Sequence, residues 1–166
     1  LREVYLMISP IAHIKSENLA CNAEPSVGTV LAFDFGEKRI GVAVGELELG
    51  LAHPLITVSG EATKNRFDAI TKLIEEWEPV RLIVGLPVHP DGTNHKLTHL
   101  SKRFARRLEG RFKIGTKLVD ERYTSATASM GLREAGVKWK KQKLVIDQVA
   151  AQQILQSYFD RQNELT

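Results

Sequence analysis

The stretch TVLAFDFGEKRIGVAV (residues 29–44) decides the fold, because it holds two apolar runs separated by a short polar link. Val30–Phe35 is typical of a buried strand that ends at Gly36, and Arg39–Val44 is a second β-rich run. The link Glu37-Lys38 has room only for a tight turn. The two predicted strands therefore pair antiparallel.

Outward from this hairpin, the chain continues in strand and helix periods. The third run, Leu51–Val58, carries Pro54, which favours a sheet edge or a bulge, and it completes an antiparallel meander. The later predicted elements are a helix over Ala62–Trp77, a strand over Leu82–Leu86, a helix over Leu97–Leu108, a strand over Ile114–Val119, and helices over Ser125–Ala135 and Val145–Phe159 that flank a Lys-rich connection. This order predicts an α/β fold: a mixed five-stranded sheet, the meander followed by βα units, with helices on both faces.

Length and composition are those of one ordinary globular domain of 166 residues. Residues 1–26 show no sustained period, so we expect a poorly structured N-terminal extension ahead of a folded domain over residues 27–166. The single cysteine, Cys21, excludes an intramolecular disulfide, and no apolar run is long enough to span a membrane. We therefore expect a cytoplasmic protein, whose net charge of +3 allows a polyanionic partner.

Two isolated acids stand where charge is costly. Asp34 lies inside the first apolar run, where a carboxylate needs a partner or a metal. The alternative for Asp34 is an acid satisfied by the amides of the following turn. Asp147 continues the apolar stripe of the last predicted helix. The alternative for Asp147 is a favourable interaction with the helix dipole in the first turn.

A third acidic group, Asp120-Glu121-Arg122, follows the last predicted strand, where strand ends can share a cleft. Alternation sends Asp120 and Glu121 to opposite sides, so we expect only one to face the cleft. The alternative is an exposed pair of Asp120 with Arg122, of little energetic weight.

Such acids suit phosphodiester hydrolysis with Mg²⁺, which takes oxygen ligands and keeps several waters. Two such ions about 4 Å apart stabilise the attacking water and the leaving oxygen. Mn²⁺ is the second candidate ion. His95 and His99 have i, i+4 spacing but lack the acid of a zinc helix, so we interpret them as a surface pair.

Four motifs in this order resemble the YqgF family, bacterial Holliday-junction-resolvase-like nucleases with a ribonuclease H fold. They are Asp34-Phe-Gly-Glu-Lys-Arg-Ile-Gly-Val-Ala-Val44, Val84-Gly-Leu-Pro87 with Asp91-Gly92, Val119-Asp-Glu-Arg122 with Thr124-Ser125, and Asp147-Gln-Val-Ala-Ala151. The resemblance extends from about Gly28 to Phe159. It implies a cytoplasmic nuclease that matures the 5′ end of pre-16S rRNA, with cleavage of branched DNA as an alternative.

The resemblance also assigns roles to residues. Metal-binding acids would be Asp34, Asp120, Glu121 and Asp147, of which Asp34, Glu121 and Asp147 would be catalytic. Lys38 and Arg39 would lie near the phosphate, and Arg122 would help to orient the acids.

Two departures from the family pattern affect these roles. The family often has Ser-Asp after the second strand, whereas this chain has Gly45-Glu46. Many related resolvases place an acid at the end of strand four, which here ends Gly85-Leu86-Pro87. The third carboxylate must therefore come from elsewhere in the chain.

The basic segment around Arg103, Arg106 and Arg107 is a candidate for contacts to nucleic-acid phosphates, or else a solvated helix face. Phosphate contacts carry no base information, so structured RNA and branched DNA both remain open as partners, as do monomer and homodimer. A rival function is a non-catalytic ribosome-assembly factor. An actin-like ATP-handling protein would need a much longer chain.

Overall fold

The computed structural model describes residues 24–60, 62–89, 91–121 and 139–164. Its elements are β1 (Thr29–Phe35), β2 (Arg39–Glu46), β3 (Leu51–Ser59), α1 (Thr63–Trp77), β4 (Arg81–Leu86), α2 (Lys96–Phe112), β5 (Thr116–Asp120) and α3 (Trp139–Glu164). The helix predicted over Ser125–Ala135 and the residue Arg122 lie outside the described residues. So do residues 1–23 of the predicted extension, although Glu24 forms ion pairs with Arg81 and Lys117.

The five strands form one mixed sheet in the order β3-β2-β1-β4-β5. Strands β1, β2 and β3 pair antiparallel, whereas β1 pairs parallel with β4 and β4 parallel with β5. The predicted meander followed by βα units is therefore confirmed. Pro54 lies on an edge strand, opposite the register shift between Val42 and Ala43, so both effects expected of that proline are present.

Alternation along β1 assigns its side chains to two cores. Leu31 and Phe33 pack in the core formed with α1 and α2, and Val30 and Ala32 pack in the core formed with α3. The predicted helices on both faces are thus confirmed. By the same period-2 rule Asp34 faces α3, and Phe35 faces α1 and α2.

The Lys-rich connection predicted before the last helix is wrong in part, because α3 already begins at Trp139. Lys140, Lys141 and Lys143 belong to the first turns of α3, in agreement with the good helix propensity of lysine. Asp147 therefore lies about two turns inside α3. The helix dipole acts mainly on the terminal turn, so it does not account for this acid.

Smaller differences concern the ends of other elements. α2 extends past Leu108 and stops where Lys113 adopts a left-handed conformation, and β5 consequently starts later than predicted. His95 is the N-cap of α2, where its Nδ1 accepts a hydrogen bond from the backbone N–H of Leu97. His95 is only half-buried and His99 is exposed, so the interpretation of the two as a surface pair stands, with helix capping as an added role of His95. Among the described helices, none has the length and apolar character needed to cross a bilayer.

Helix α3 lies directly on β2 because two glycines leave room for it. A Cβ on Gly41 would overlap the backbone carbonyl of Asp147, and a Cβ on Gly45 would lie 2.7 Å from Cε2 of Phe159. These positions are four residues apart on one face of the strand. Glycine inside a strand often marks such a close approach of backbone.

We expect Gly41→Ala to destabilise the fold by about 3 kcal/mol, because the added methyl group meets backbone atoms of α3 that cannot rotate away. Gly110→Ala in α2 is the matched control: nothing lies within 4 Å of its Cβ, so it should stabilise by about 0.5–1 kcal/mol. Urea unfolding curves measure both changes. Equal stability of Gly41→Ala and the wild-type protein would contradict the close contact.

Candidate active site

Asp34 and Asp147 are brought together by the contact between α3 and β2. Asp34 is paired across the strands with Gly41, and the backbone of Asp147 lies over that same glycine. Burial, and secondarily the negative charge of Asp147, raise the pKa of Asp34 to about 6. Two acids from distant parts of the chain therefore act on each other here.

Glu121 reaches the same region from the far side of β4. Its Oε1 atom occupies the space that a Cβ on Gly85 would fill, so the carboxylate lies over the backbone of β4, between β5 and β1. Burial raises the pKa of Glu121 to about 7, with further contributions from the charges of Asp34 and Asp120. Asp34 is thus the middle member of a row that runs from Glu121 to Asp147.

Asp147, the third acid of the row, has a cationic partner. The Nε atom of Arg39 donates a hydrogen bond of 2.6 Å to Oδ2 of Asp147. Arg39 is the first residue of β2, two positions before Gly41. The ion pair fixes the orientation of Asp147 at the end of the row.

Asp120 does not join this row directly. It lines a shallow surface depression together with Ser157, Asp160, Arg161 and Glu164 of α3. Its charge contributes to the raised pKa of Glu121, after burial and Asp34. Of the two adjacent acids, the structure thus places Glu121 beside Asp34.

The acids do not form a closed metal cage. Within residues 24–60, 62–89, 91–121 and 139–164, no group of three or more Asp, Glu, His or Cys side chains is arranged to hold an ion. The geometry instead offers two partly buried carboxylates, Asp34 and Glu121, and a third that is paired with Arg39.

Lys38 lies exposed in the turn between β1 and β2 and precedes Arg39, whose side chain contacts Asp147. This turn is held from the opposite face of the sheet by Arg66 of α1, whose Nη1 donates hydrogen bonds of 3.0 Å to the carbonyls of Gly36 and Glu37. Arg66 is only 9% exposed. Sequence reasoning missed Arg66, although its position four residues before Ile70 on the buried helix face was an available signal.

The predicted phosphate contacts Arg103, Arg106 and Arg107 of α2 are not close to the acids, because α2 covers the opposite face of the sheet. Arg103 and Arg107 line a cleft next to Phe67, and the guanidinium of Arg107 lies 4.6 Å from the centroid of that ring. Arg106 is exposed on the same helix.

The model of the RuvX family, described as Holliday junction resolvase, matches residues 28–161, and so covers all four acids and the strands that carry them. The chain belongs to the RuvX family. RuvX is the YqgF family whose motifs the sequence resembles, so that expectation is confirmed.

Two relatives of this RuvX-family chain carry the name "Putative pre-16S rRNA nuclease". The protein of Nitrosospira multiformis is 60% identical over 144 residues, which are 87% of this chain and 95% of that protein. The protein of Nitrosomonas europaea is 61% identical over 135 residues, 81% of this chain and 91% of that protein.

Among solved structures, RuvC of T. thermophilus in complex with a Holliday junction substrate has a TM-score of 0.51 at 14% identity, over 82% of this chain and 96% of that one. This similarity shows the resolvase-type ribonuclease H-like fold.

The fold explains one departure of this chain from the RuvX-family pattern. Gly45 stands where a side chain would collide with Phe159 of α3. Glu46 pairs with Thr29 at the other end of the hairpin, five residues along β2 from Gly41. At about 3.3 Å per residue this is roughly 17 Å from the row of acids, too far for Glu46 to join it.

The raised pKa values predict how stability varies with pH. The folded chain keeps protons on Asp34 and Glu121 that the unfolded chain releases near its ordinary pKa values of about 4. Between about pH 4 and pH 7, without metal, the contribution of these groups to the free energy of unfolding should therefore fall as pH rises. Asp34→Asn should stabilise the protein at pH 8, by up to about 3 kcal/mol.

Urea unfolding at pH 5 and pH 8 in EDTA measures this effect. Asp68→Asn, on the exposed face of α1, is the matched control and should not alter the pH dependence. An Asp34→Asn protein no more stable than wild type at pH 8 would contradict the raised pKa of Asp34.

Proposed function

We propose that this RuvX-family chain is a metal-dependent endonuclease that hydrolyses phosphodiester bonds at the 5′ end of pre-16S rRNA. The observation that carries the proposal is the pair of partly buried carboxylates, Asp34 and Glu121: burial raises both pKa values, and the charge of Asp34 adds to the cost of ionising Glu121. Folding does not benefit from such an arrangement, since burial of like charges destabilises the native state. A bound cation would reverse that cost.

Mg²⁺ fits this donor set. Its usual protein sites supply one or two carboxylates and leave the other positions to water and substrate phosphate. Asp34 and Glu121 would hold the ion. Asp147 would contribute either through a water molecule or directly, by giving up its ion pair with Arg39. When bound, the ion polarises the phosphate and makes its water a better nucleophile. Mn²⁺ accepts the same oxygen ligands.

The residues around this pair supply the remaining functions. Lys38 is exposed at the adjacent turn, where its ammonium can bind a phosphate of the substrate strand. Arg39 orients Asp147 and would balance negative charge as the attacking oxygen bonds to phosphorus and the leaving oxygen departs. Asp120, next to Glu121, completes the proposed site at its outer edge. Arg122 follows Glu121 in the chain, and the family resemblance assigns it the role of orienting the acids.

The substrate part of the proposal is supported by the names of relatives that are about 60% identical over most of their length. Branched DNA is the second candidate, because the matching family is described as a Holliday junction resolvase. A junction cutter would need a symmetric dimer to make paired incisions. The two substrates therefore belong in one experiment.

We expect cleavage of a labelled pre-16S rRNA 5′ leader in Mg²⁺ and none in EDTA, and at least a hundredfold slower cleavage by Asp34→Asn because a ligand carboxylate is lost. A four-way DNA junction serves as the parallel substrate, and Asp68→Asn as the matched variant outside the site. Gel analysis of the products gives rates and cut positions.

Preferred cutting of the junction would replace the RNA assignment with the resolvase assignment. Equal binding of RNA by wild type and Asp34→Asn, with no cleavage of either substrate, would favour the assembly-factor function instead.

Mg²⁺ should also stabilise the fold. At a concentration 100 times Kd, one bound ion adds about 2.7 kcal/mol to the free energy of unfolding and raises Tm. Asp34→Asn and Glu121→Gln should lose most of this increase, whereas Asp68→Asn should retain it. Thermal unfolding with and without 10 mM MgCl₂, a concentration of the order that weak sites require, measures the difference. If MgCl₂ raises Tm in both site variants as much as in the wild type, the ion binds elsewhere.

A further inference from the structure

A cleft of about 180 Å³ lies between α1 and α2, on the face of the sheet opposite the acids. Its floor includes Phe35, Phe67 and Phe104, and its cationic side chains are Arg66, Arg103 and Arg107. None of the described residues that line it is acidic. The cleft thus combines an apolar base with uncompensated positive charge.

The three arginines have different roles in this cleft. Arg66 is buried and uses its Nη1 on the turn between β1 and β2. Arg103 and Arg107 are exposed, one helical turn apart, and neither forms an ion pair within the part of the chain that the structure describes. The contact of Arg107 with the Phe67 ring holds its guanidinium at the cleft. Two neighbouring guanidinium groups can both donate hydrogen bonds to the oxygens of one phosphate.

We propose that this cleft binds one phosphate of an unpaired nucleic-acid strand, with the attached sugar or base against the phenylalanine floor. The inference rests on the proposed function, since it supposes a nucleic-acid substrate, and it assigns a second contact site to that substrate. It also separates Arg103 and Arg107, which line the cleft, from Arg106, which does not.

A continuous strand is favoured over a free nucleotide by the position of the cleft on β1. Phe35 lines the cleft, and the preceding residue, Asp34, faces the acids on the other side of the sheet. The turn that joins these two faces carries the exposed Lys38. A polyanion that enters the acidic site can pass Lys38 around this turn and reach Arg103 and Arg107.

An unpaired strand is favoured over a duplex because the binding surface is concave and apolar at its base. The sugar or base of a flexible strand can turn into such a cleft, whereas a duplex presents only its outer phosphates. The cleft should therefore contribute more to the binding of single strands than of duplexes.

Fluorescence anisotropy in EDTA tests the proposal, with a labelled 12-nucleotide oligouridylate and a duplex of equal length. Arg103→Gln and Arg107→Gln should each weaken single-strand binding about tenfold at low salt and reduce the slope of log K against log salt by about 0.7. Lys72→Gln is the matched control: it removes one charge from the exposed surface of α1 outside the cleft, and should have little effect.

Leu100→Trp distinguishes the cleft from a merely basic surface, because it fills the space without a change of charge. It should abolish most of the single-strand affinity and leave duplex binding unchanged. Circular dichroism shows whether each variant is folded. If Leu100→Trp does not fold, the arginine variants alone test the proposal. Wild-type affinity in Leu100→Trp, or equal losses in Arg107→Gln and Lys72→Gln, would overturn the proposal.

Because binding is measured without divalent ions, the result is independent of cleavage. If RNA binds through the cleft but is never cut, the nuclease proposal fails and the cleft proposal stands. If folded Arg103→Gln and Arg107→Gln bind and cleave RNA as the wild type does, the cleft proposal fails and the nuclease proposal stands.

Discussion

The backbone of α3 rests on β2 at Gly41, where no side chain separates helix from strand, and this contact determines where the acids can be. Since Gly41 is also the cross-strand partner of Asp34, the carboxylate of Asp147 is delivered beside Asp34. A second glycine, Gly85, gives Glu121 the same freedom across β4. The row of acids thus depends on two positions where a side chain is missing as much as on the three acids themselves.

This row is electrostatically unfavourable in the absence of a cation. Burial raises the pKa values of Asp34 and Glu121, the charge of Asp147 adds to the effect on Asp34, and the charges of Asp34 and Asp120 add to the effect on Glu121. Asp147 forms an ion pair with Arg39. Within the part of the chain that the structure describes, a core of 26 buried apolar residues on both faces of the sheet supplies the stability that tolerates such a site. Functional sites commonly break the rules that the rest of a sequence obeys, and their cost is offset elsewhere in the fold.

Much of this arrangement follows from the sequence because it is local. Alternation along β1, the short links of the meander and the helical periods predict the sheet, and the position of Asp34 within an apolar run marks it as unusual. The start of α3 was missed because lysines carry no apolar period, although they favour helix. Contacts between distant segments are not encoded in local periods. Neither the close contact of α3 with Gly41 nor the hydrogen bonds from Arg66 to the turn between β1 and β2 could therefore be predicted. The face that α2 covers is different, because β-α-β crossovers between parallel strands are almost always right-handed, and it follows once the strand order is known.

The opposite orientation of Asp34 and Phe35 has a consequence for how this hairpin can change in evolution. A single inserted or deleted residue in β1 would exchange the two faces of the strand. Phe35 would then point into the row of acids, and Asp34 would point into the cleft between α1 and α2. One such event would remove both surfaces together. We expect lineages of this protein to vary the composition of β1 but to keep its length, with insertions confined to the loops beyond the sheet.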